Sequence, residues 1–416
     1  MAEQHEKALV PQIRFTGFTD PWEQRKLGEV ARRVTRKNEN GDSDLPLTIS
    51  AQYGLVDQRT FFNSQVASKD MSGYFLLHRG EFAYNKSTST DSPWGAIKRL
   101  EKYDMGCVST LYICFELLSG DPDFLVTYYE TDRWYKSVQL IAAEGARNHG
   151  LLNIAPDDFF ETQICIPKRI DEQRRIGAFF DRLDSLITLH QRKYDKLVIL
   201  IKSMLEKMFP KDGESVPEIR FAGFTDPWEQ RKLSEVATFG GGHTPPMADP
   251  DNYEDGYVLW VTSQDVKSNY LDRTTTQITE KGAKELTLYP AGSLVMVTRS
   301  GILRHTLPVA ELRKPSTVNQ DIRVILPQGE CCGEWLLQFF ISHNKELLLE
   351  FGKTGTTVES VDFGKIKDML LYMPSTVEQQ QIGDFFAKLD SLITLHQRKL
   401  ELLQNIKKSL LDKMFV

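Results

Sequence analysis

The stretch "LDSLITLHQRK" occupies Leu183–Lys193 and returns letter for letter at Leu389–Lys399, 206 positions later. Around it the match widens to "EQRRIGAFFDRLDSLITLHQRK" against "EQQQIGDFFAKLDSLITLHQRK", and both copies run on to "KMF". The apolar positions step by four and three: Ile176, Phe180, Leu183, Ile187, His190, Tyr194, Leu197, Ile201, Met204 and Met208. This is the seam of a long amphipathic helix. The second copy repeats it through Ile382, Phe386, Leu389, Ile393, His396, Leu400 and Leu403 to Leu410 and Met414. Lys407 breaks the pattern, with neighbouring Ile406 expected to cover the gap. "STVE" at Ser375–Glu378 has the form of a capping box, and Asp171 is placed to cap the first helix. About 33 residues per helix gives about 50 Å of length.

A second repeat shares the same offset. "PQIRFTGFTDPWEQRKLGEVA" (Pro11–Ala31) becomes "PEIRFAGFTDPWEQRKLSEVA" (Pro217–Ala237), and from Ile13 to Leu27 only Thr16 differs from its counterpart, Ala222. Phe15, Phe18 and Trp22, duplicated as Phe221, Phe224 and Trp228, are expected to pack this lead-in motif onto its domain. Residues 35–169 and 241–375 are equal in number but share almost no wording, although Asp158-Phe159 aligns with Asp362-Phe363 at another offset. A fixed frame thus holds two divergent inserts.

The expected plan is α+β: two globular domains separated by two long antiparallel coiled-coil helices, with a pseudo-twofold internal repeat. A flexible tail (1–10) precedes the first domain (11–169; lead-in 11–34, variable part 35–169) and the first helix (170–210). A linker (211–216) leads to the second domain (217–375; lead-in 217–240, variable part 241–375) and the second helix (376–416). The helix pair should be held by Leu183, Ile187, His190, Leu197, Leu389, Ile393, His396 and Leu403, with His190 and His396 approaching each other across it. Arg192, Lys193, Arg398 and Lys399 read as solvated charge.

Composition narrows the function classes. The 416 residues carry a net charge of −6, 41% hydrophobic and 26% charged residues, as in globular domains. No run of eighteen apolar residues marks a membrane span, and the polar start "MAEQHEKALVPQ" lacks the apolar region of a secretory signal. Five cysteines without metal-ligand spacing read as reduced thiols, so a cytoplasmic location is expected. GxxxxGK[ST] fails at "GKT" (Gly352–Thr354), because the first glycine position is Leu347. No HExxH, GxSxG, Asn/Asp-Pro-Pro-aromatic or nuclease constellation is present, so no catalytic residue and no metal site is assigned.

The duplicated "IRFxGFTDPWEQRKLxEVA", the divergent insert and the "EQ…IG…F…LD…I" helix together resemble the DNA-specificity subunit of bacterial type I restriction–modification systems, over residues 11–416. "GGGHTPPMADPDNYEDGYVLWVTSQDV", "STVNQDI" (Ser316–Ile322) and "GKTGTTVESVDF" (Gly352–Phe363) fit that family within the second insert, and "GEFAYNKSTST" and "GARNHGLLNIAPDDF" within the first. "GGHTPPM" departs from relatives that carry Ser or Lys after the proline. The resemblance implies two target recognition domains, each reading half of a bipartite, asymmetric site in double-stranded DNA, with the helices setting the spacer. It also implies a non-catalytic role in DNA methylation and phage defence. Two methyltransferase (M) and two restriction/translocase (R) subunits would be the partners, and AdoMet, ATP and Mg²⁺ would be used by them, none by this chain. A pseudo-symmetric protein-docking scaffold that reads no DNA is the alternative.

Base edges are read by Arg, Asn, Gln and hydroxyl side chains, and phosphates are held by Lys, Arg, Ser and Thr. In the first domain those types cluster at Gln52 and Tyr53, at Tyr84, Asn85, Lys86, Ser87, Thr88, Ser89 and Thr90, and at Arg147, Asn148 and His149. In the second they cluster at His243 and Thr244, at Thr262, Ser263 and Gln264, and at Arg299, Ser300 and Arg304. Asn319 and Gln320, then Lys353, Thr354, Thr356 and Thr357, complete the set. Both variable parts are net acidic, with 14 Lys/Arg against 18 Asp/Glu in the first and 13 against 17 in the second. The isolated chain is therefore expected to bind DNA weakly, with steep salt dependence.

Overall fold

The computed structural model describes residues 9–50, 53–63, 67–90, 92–142, 150–211, 213–355 and 358–416. It contains two compact units, one of Met1–His190 with Lys399–Val416 and one of Gln191–Arg398. Both mix helix and sheet.

In the first unit a four-stranded antiparallel sheet runs in the order Ala31–Arg33, Ile113–Leu117, Phe82–Asn85, Ala96–Arg99. Successive side chains of a strand point to opposite faces, and both faces here are covered. Phe82, Tyr84, Ile113 and Phe115 enter an aromatic core with Trp22, Phe124 and Phe159. Ala83 and Cys114 enter a smaller core with Leu47, Leu55 and Leu77. The second unit solves the same problem with a five-stranded sheet in the order Ala237–Gly241, Ile322–Pro327, Leu294–Val297, Val309–Leu312, Tyr270–Leu271. Leu294, Met296 and Ile325 face one cluster, while Val295, Val297, Ile322 and Val324 face the other. A three-stranded sheet, Gln277–Ile278, Val258–Val261 and Thr317–Val318, is formed from the same stretch of sequence.

The frame is built twice. Glu23–Lys26 pairs antiparallel with Gln163–Ile166, and Glu229–Lys232 pairs with Leu370–Met373. Glu23 faces Ile166 and Glu229 faces Met373, so the equivalent strands stand 207 apart while the lead-ins stand 206 apart. Leu27 N donates to Thr162 O and Leu233 N to Met369 O, again 207 apart. The alignment of Asp158-Phe159 with Asp362-Phe363 is thereby corrected: Asp158 lies within the helix Pro156–Phe160, whereas Asp362 caps the helix Phe363–Asp368.

The long helices are Ile170–Lys207, 38 residues, and Thr376–Met414, 39 residues. At about 1.5 Å per residue each is near 57 Å, longer than the seam alone suggests. Asp171 lies inside the first helix, beside Arg169 at 3.7 Å, and does not cap it. Ser375 Oγ accepts from Glu378 N at 3.4 Å, one half of the capping box, but the Glu378 carboxylate is engaged elsewhere. In the first unit Phe180 meets Phe415 at 6.0 Å and Asp184 meets Lys407 at 2.6 Å, so the two helical segments there run antiparallel. In the second unit Phe386 meets Phe209 at 6.3 Å, the same pair with the copies exchanged. Met414 and Phe415 thus complete the first unit's core, and Met208 and Phe209 the second's.

The seam residues Leu183 and Leu389 are each 7% exposed, and Ile187, Leu197, Ile393 and Leu403 are half-buried. His190 and His396 are half-buried too, the one in the first unit and the other in the second. Lys407 needs a correction. Ile406 is 40% exposed and covers nothing, while Lys407 itself faces inward on the seam, held by Glu130 at 2.7 Å and Asp184 at 2.6 Å.

Candidate nucleic-acid interface

The "EQ" that opens each long helix is what fixes the domain to it. Arg14 of the first lead-in grips Glu172 through two hydrogen bonds of 2.6 and 2.7 Å, and Arg220 grips Glu378 at 2.6 and 2.8 Å. Both glutamate side chains are 1% exposed, so each depends on its guanidinium. The next residue works in two directions. Gln173 accepts from Asp121 N at 2.9 Å and donates to Pro167 O at 2.8 Å. Gln379 accepts from Cys332 N and donates to Pro374 O, both at 2.8 Å. Asp121 and Cys332 each stand at the start of a domain helix, Pro122–Tyr128 and Gly333–Ser342. Those starts press so closely on the long helices that a Cβ on Gly177 would lie 2.7 Å from Phe124 N, and one on Gly383 2.8 Å from Glu334 Cβ. Trp22 stands edge-on to Phe124 and Phe415, and Trp228 to Phe209 and Trp335, in the packing role expected of the lead-in aromatics. One asymmetry is visible: Trp22 Nε1 donates to Glu172 at 3.3 Å, whereas Trp228 Nε1 has no partner among the described residues.

In the second unit the polar segments singled out in the sequence converge. Val258–Val261 and Thr317–Val318 are parallel neighbours, so the turns that follow them emerge side by side, joined by Asn319 N to Val261 O at 3.0 Å. Asp265 folds the first turn by accepting from Thr262 N and Oγ1, both at 2.8 Å, and from Thr275 N and Oγ1. Burial alone would raise the Asp265 pKa, but these four donors outweigh it and hold the carboxylate below its ordinary value. Ser263 is half-buried and Gln264 exposed on that turn. Thr244 Oγ1 donates to Gln320 Oε1, and Trp260 Nε1 donates to His243 O, which brings the "GGGHT" segment alongside. Thr298 donates through N and Oγ1 to Asp321 O at 2.8 and 3.0 Å. Arg299 then bridges to Ser360, Ser300 N donates to Glu359 O, and Arg304 pairs with Glu359 at 2.6 Å. Lys353, in the two-residue strand opposite Ser360–Val361, pairs with Asp362 at 2.9 Å, and Thr354 beside it is exposed. Segments up to 109 residues apart, from residue 244 to residue 353, therefore share one hydrogen-bonded edge.

The triple glycine is explained by close approach. A Cβ on Gly240 would overlap the Tyr289 ring, one on Gly241 the Arg323 guanidinium, and one on Gly242 the Val318 carbonyl.

Two residues expected at the surface are inside. Tyr84 is 0% exposed, stacks on Phe159 at 4.8 Å and donates its hydroxyl to Trp94 O at 2.8 Å; burial drives its pKa well up. It belongs to the core and is withdrawn as a DNA contact. Asn319 is 6% exposed, and its Oδ1 accepts from Asp321 N, so it shapes its turn and is withdrawn too.

The rest of the first-domain run is structured as a loop. Asn85 Oδ1 accepts from Ser87 N, Lys86 reaches Ile154 O at 3.3 Å with its pKa lowered by burial, and Ser87 bridges to Leu151. Thr88 donates to Gly150 O through N and Oγ1, and Ser89 turns back onto Ser92, leaving Ser87, Ser89 and Thr90 exposed. Tyr53 is 55% exposed at the tip of the Leu47–Ser50/Gly54–Asp57 hairpin, with Lys102 Nζ 5.6 Å from its ring centre. Gln52, Arg147, Asn148, His149, Thr356 and Thr357 lie outside the described residues. Arg323, outside the set expected from the sequence, is the exposed member of the alternating strand "IRVIL" that follows the Asn319–Asp321 turn. Among the described residues no group of three or more His, Cys, Asp or Glu could hold a metal ion, and no helix is long and apolar enough to cross a membrane. All five cysteines are free.

Residues 225–405 match the family model for the type I restriction modification DNA specificity domain. The specificity subunit of the Escherichia coli type I restriction enzyme EcoR124I/EcoR124II is 30% identical over 166 residues, which is 39% of this chain and 41% of that protein. The MjaIX specificity subunit of Methanocaldococcus jannaschii is 28% identical over 194 residues, 45% of this chain and 44% of that one. The chain thus spans less than half the length of these two relatives. In fold it is similar to the crystal structure of the type I restriction–modification S subunit from M. genitalium, at a TM-score of 0.58 and 14% identity, over 98% of this chain and 99% of that one. Residues 225–405 thus carry a segment that matches the type I restriction modification DNA specificity domain.

Proposed function

We propose that this chain is the non-catalytic, address-bearing subunit of a type I restriction–modification complex, recognising a bipartite asymmetric DNA site with one half read by each variable domain. The observation that carries this reading is the contrast between the copied frame and the second unit's insert. Frame contacts such as Arg14–Glu172 and Arg220–Glu378 are copied, while the polar edge gathering Thr244, Gln264, Arg299 and Gln320 lies entirely in the divergent insert. Copying what docks and varying what reads is what exchange of sequence specificity requires. Hydroxyl, amide, imidazole and guanidinium groups on one edge match the acceptors and donors of the major groove.

The helical phrase supports two equal partners. Leu186 and Leu189 are 47% and 46% exposed, and their copies Leu392 and Leu395 are 43% and 45% exposed. Two methyltransferase subunits would dock there and two restriction/translocase subunits would join them, in the bacterial cytoplasm. AdoMet, ATP and Mg²⁺ would serve those subunits, and adenine modification would be the methyltransferase's work. Mapping modified adenines genome-wide, with the methyltransferase partner present and this chain supplied or withheld, tests the proposal. A split motif present only with the chain is expected. An adenine pattern indifferent to the chain, while the partner is assembled with it, would leave a docking scaffold instead.

A further inference from the structure

We infer that Arg323 is a guanine-reading residue of the second domain, an assignment that rests on the DNA-recognition reading above. The second variable part is acidic, 13 Lys/Arg against 17 Asp/Glu, and most of its arginines are committed to carboxylates. Arg304 is held by Glu359, Arg313 by Glu311 and Glu334, and Arg273 lies near Asp272. Arg323 is exposed, and among the described residues no ion pair or hydrogen bond engages its guanidinium. Yet the group is not loose. Its Nη1 lies 2.4 Å from where a Cβ of residue 241 would stand, with Cδ and Cζ 3.6 Å from that point. Gly241 is in turn clamped by Tyr289, whose hydroxyl accepts from Gly241 N at 2.8 Å and donates to Gly241 O at 2.7 Å.

The placement matters because of the neighbours. Arg323 follows the Asn319–Asp321 turn by two residues, and Gly241 precedes His243 and Thr244 by two and three. The Thr244 hydroxyl donates to the Gln320 carbonyl oxygen, and among the described residues no acceptor engages the Gln320 amide N–H groups. A guanidinium and an amide without partners among the described residues therefore lie on neighbouring segments: Arg323 pairs with Gly241 across the strands, and Gln320 meets Thr244. A guanidinium fork donates twice to guanine O6 and N7, the commonest specific contact to a base pair. A solvated surface arginine would need neither a glycine slot nor a tyrosine clamp behind it.

The test is the adenine map repeated with Arg323→Ala, Arg323→Lys and Gly241→Ala in the full chain with its methyltransferase partner. One guanine position, in one half of the split motif, should lose about 10- to 100-fold of its preference with Arg323→Ala. Lysine lacks the fork and should not restore it, and Gly241→Ala should relax the same position by displacing the guanidinium. The other half of the motif should stay unchanged, which reports that the variant still folds and assembles. Arg323→Lys, which keeps charge and stem, decides the matter if alanine abolishes all modification. An unchanged motif with Arg323→Lys and Gly241→Ala overturns the assignment alone; no chain-dependent motif with the wild-type chain removes the recognition reading and this assignment together.

Discussion

Asp184 and Asp390 are the same letter of the same repeated phrase, yet they keep different company. Asp184 faces Lys407 at 2.6 Å, and Lys407 also holds Glu130, which Lys98 approaches at 3.5 Å. Asp390 accepts from Asn269 at 2.9 Å beside Tyr270, whose hydroxyl donates to Glu334. Arg313 is shared there between Glu311 at 3.0 Å and Glu334 at 2.8 Å. Burial raises both aspartates, and Lys407 opposes this in the first unit only. An identical helix surface thus meets a cation-balanced partner in one unit and an acid-rich one in the other. The repeat fixes the frame; the inserts decide the chemistry at its margin.

The largest effects should come from the exchanged plugs. Phe415→Ala should destabilise the first unit, and Phe209→Ala the second, by about 3–5 kcal/mol each, the cost of emptying a buried phenylalanine site. Hydrogen exchange resolved over Phe82–Asn85 and Leu294–Val297 checks this, and equal loss in both units from either variant would break the comparison.

The acid-rich margin should be visible as pH dependence. Burial, then the charge of Glu334, pushes the Glu311 carboxyl up to about 7 from an ordinary 4.5. The folded state therefore holds a proton that the unfolded chain releases, so this stabilisation is full below about 4.5 and is lost as pH rises through about 7. Glu311→Gln should flatten the second unit's decline over that window, an effect of roughly 2–3 kcal/mol. Denaturant melts between pH 4.5 and 8 read it directly. A decline of the same size in the variant would remove Glu311 as its source.

Lys407→Met should cost the first unit about 2 kcal/mol, less than for a fully buried pair because Asp184 retains solvent contact. The equivalent position in the other copy is Ile201, and Ile201→Lys should be tolerated better than Ile201→Glu, because Asp390 stands where Asp184 stands in the first copy. Equal penalties for the two Ile201 variants would show that the two margins are not equivalent in geometry.

Much of the frame was legible because its signals are local or repeated. The four-three spacing gave the helices, and the duplicated "DPWEQRK" gave the lead-in. The failures have a physical pattern. Tyr84 sits in a run of readers by chemistry, "AYNKSTST", but Phe82-Ala83-Tyr84 belongs to a strand covered on both faces, and alternation was the stronger signal. Lys407 looked like a seam defect because Glu130, 277 positions earlier, is invisible to a helical pattern. The polar edge could be listed by residue type but not assembled, since the parallel pairing that joins Val261 to Asn319 is a long-range contact. Arg323 required knowing what lies over Gly241.

The central claim is that each insert reads one half of a split site inside a shared frame. Its most direct test replaces residues 241–375 with the corresponding insert of a relative of different specificity, keeps both lead-ins and both helices, and maps modified adenines with the methyltransferase partner. The expected result is a motif in which one half changes and the other half is retained. A motif unchanged by the replacement, or altered in both halves, would contradict it.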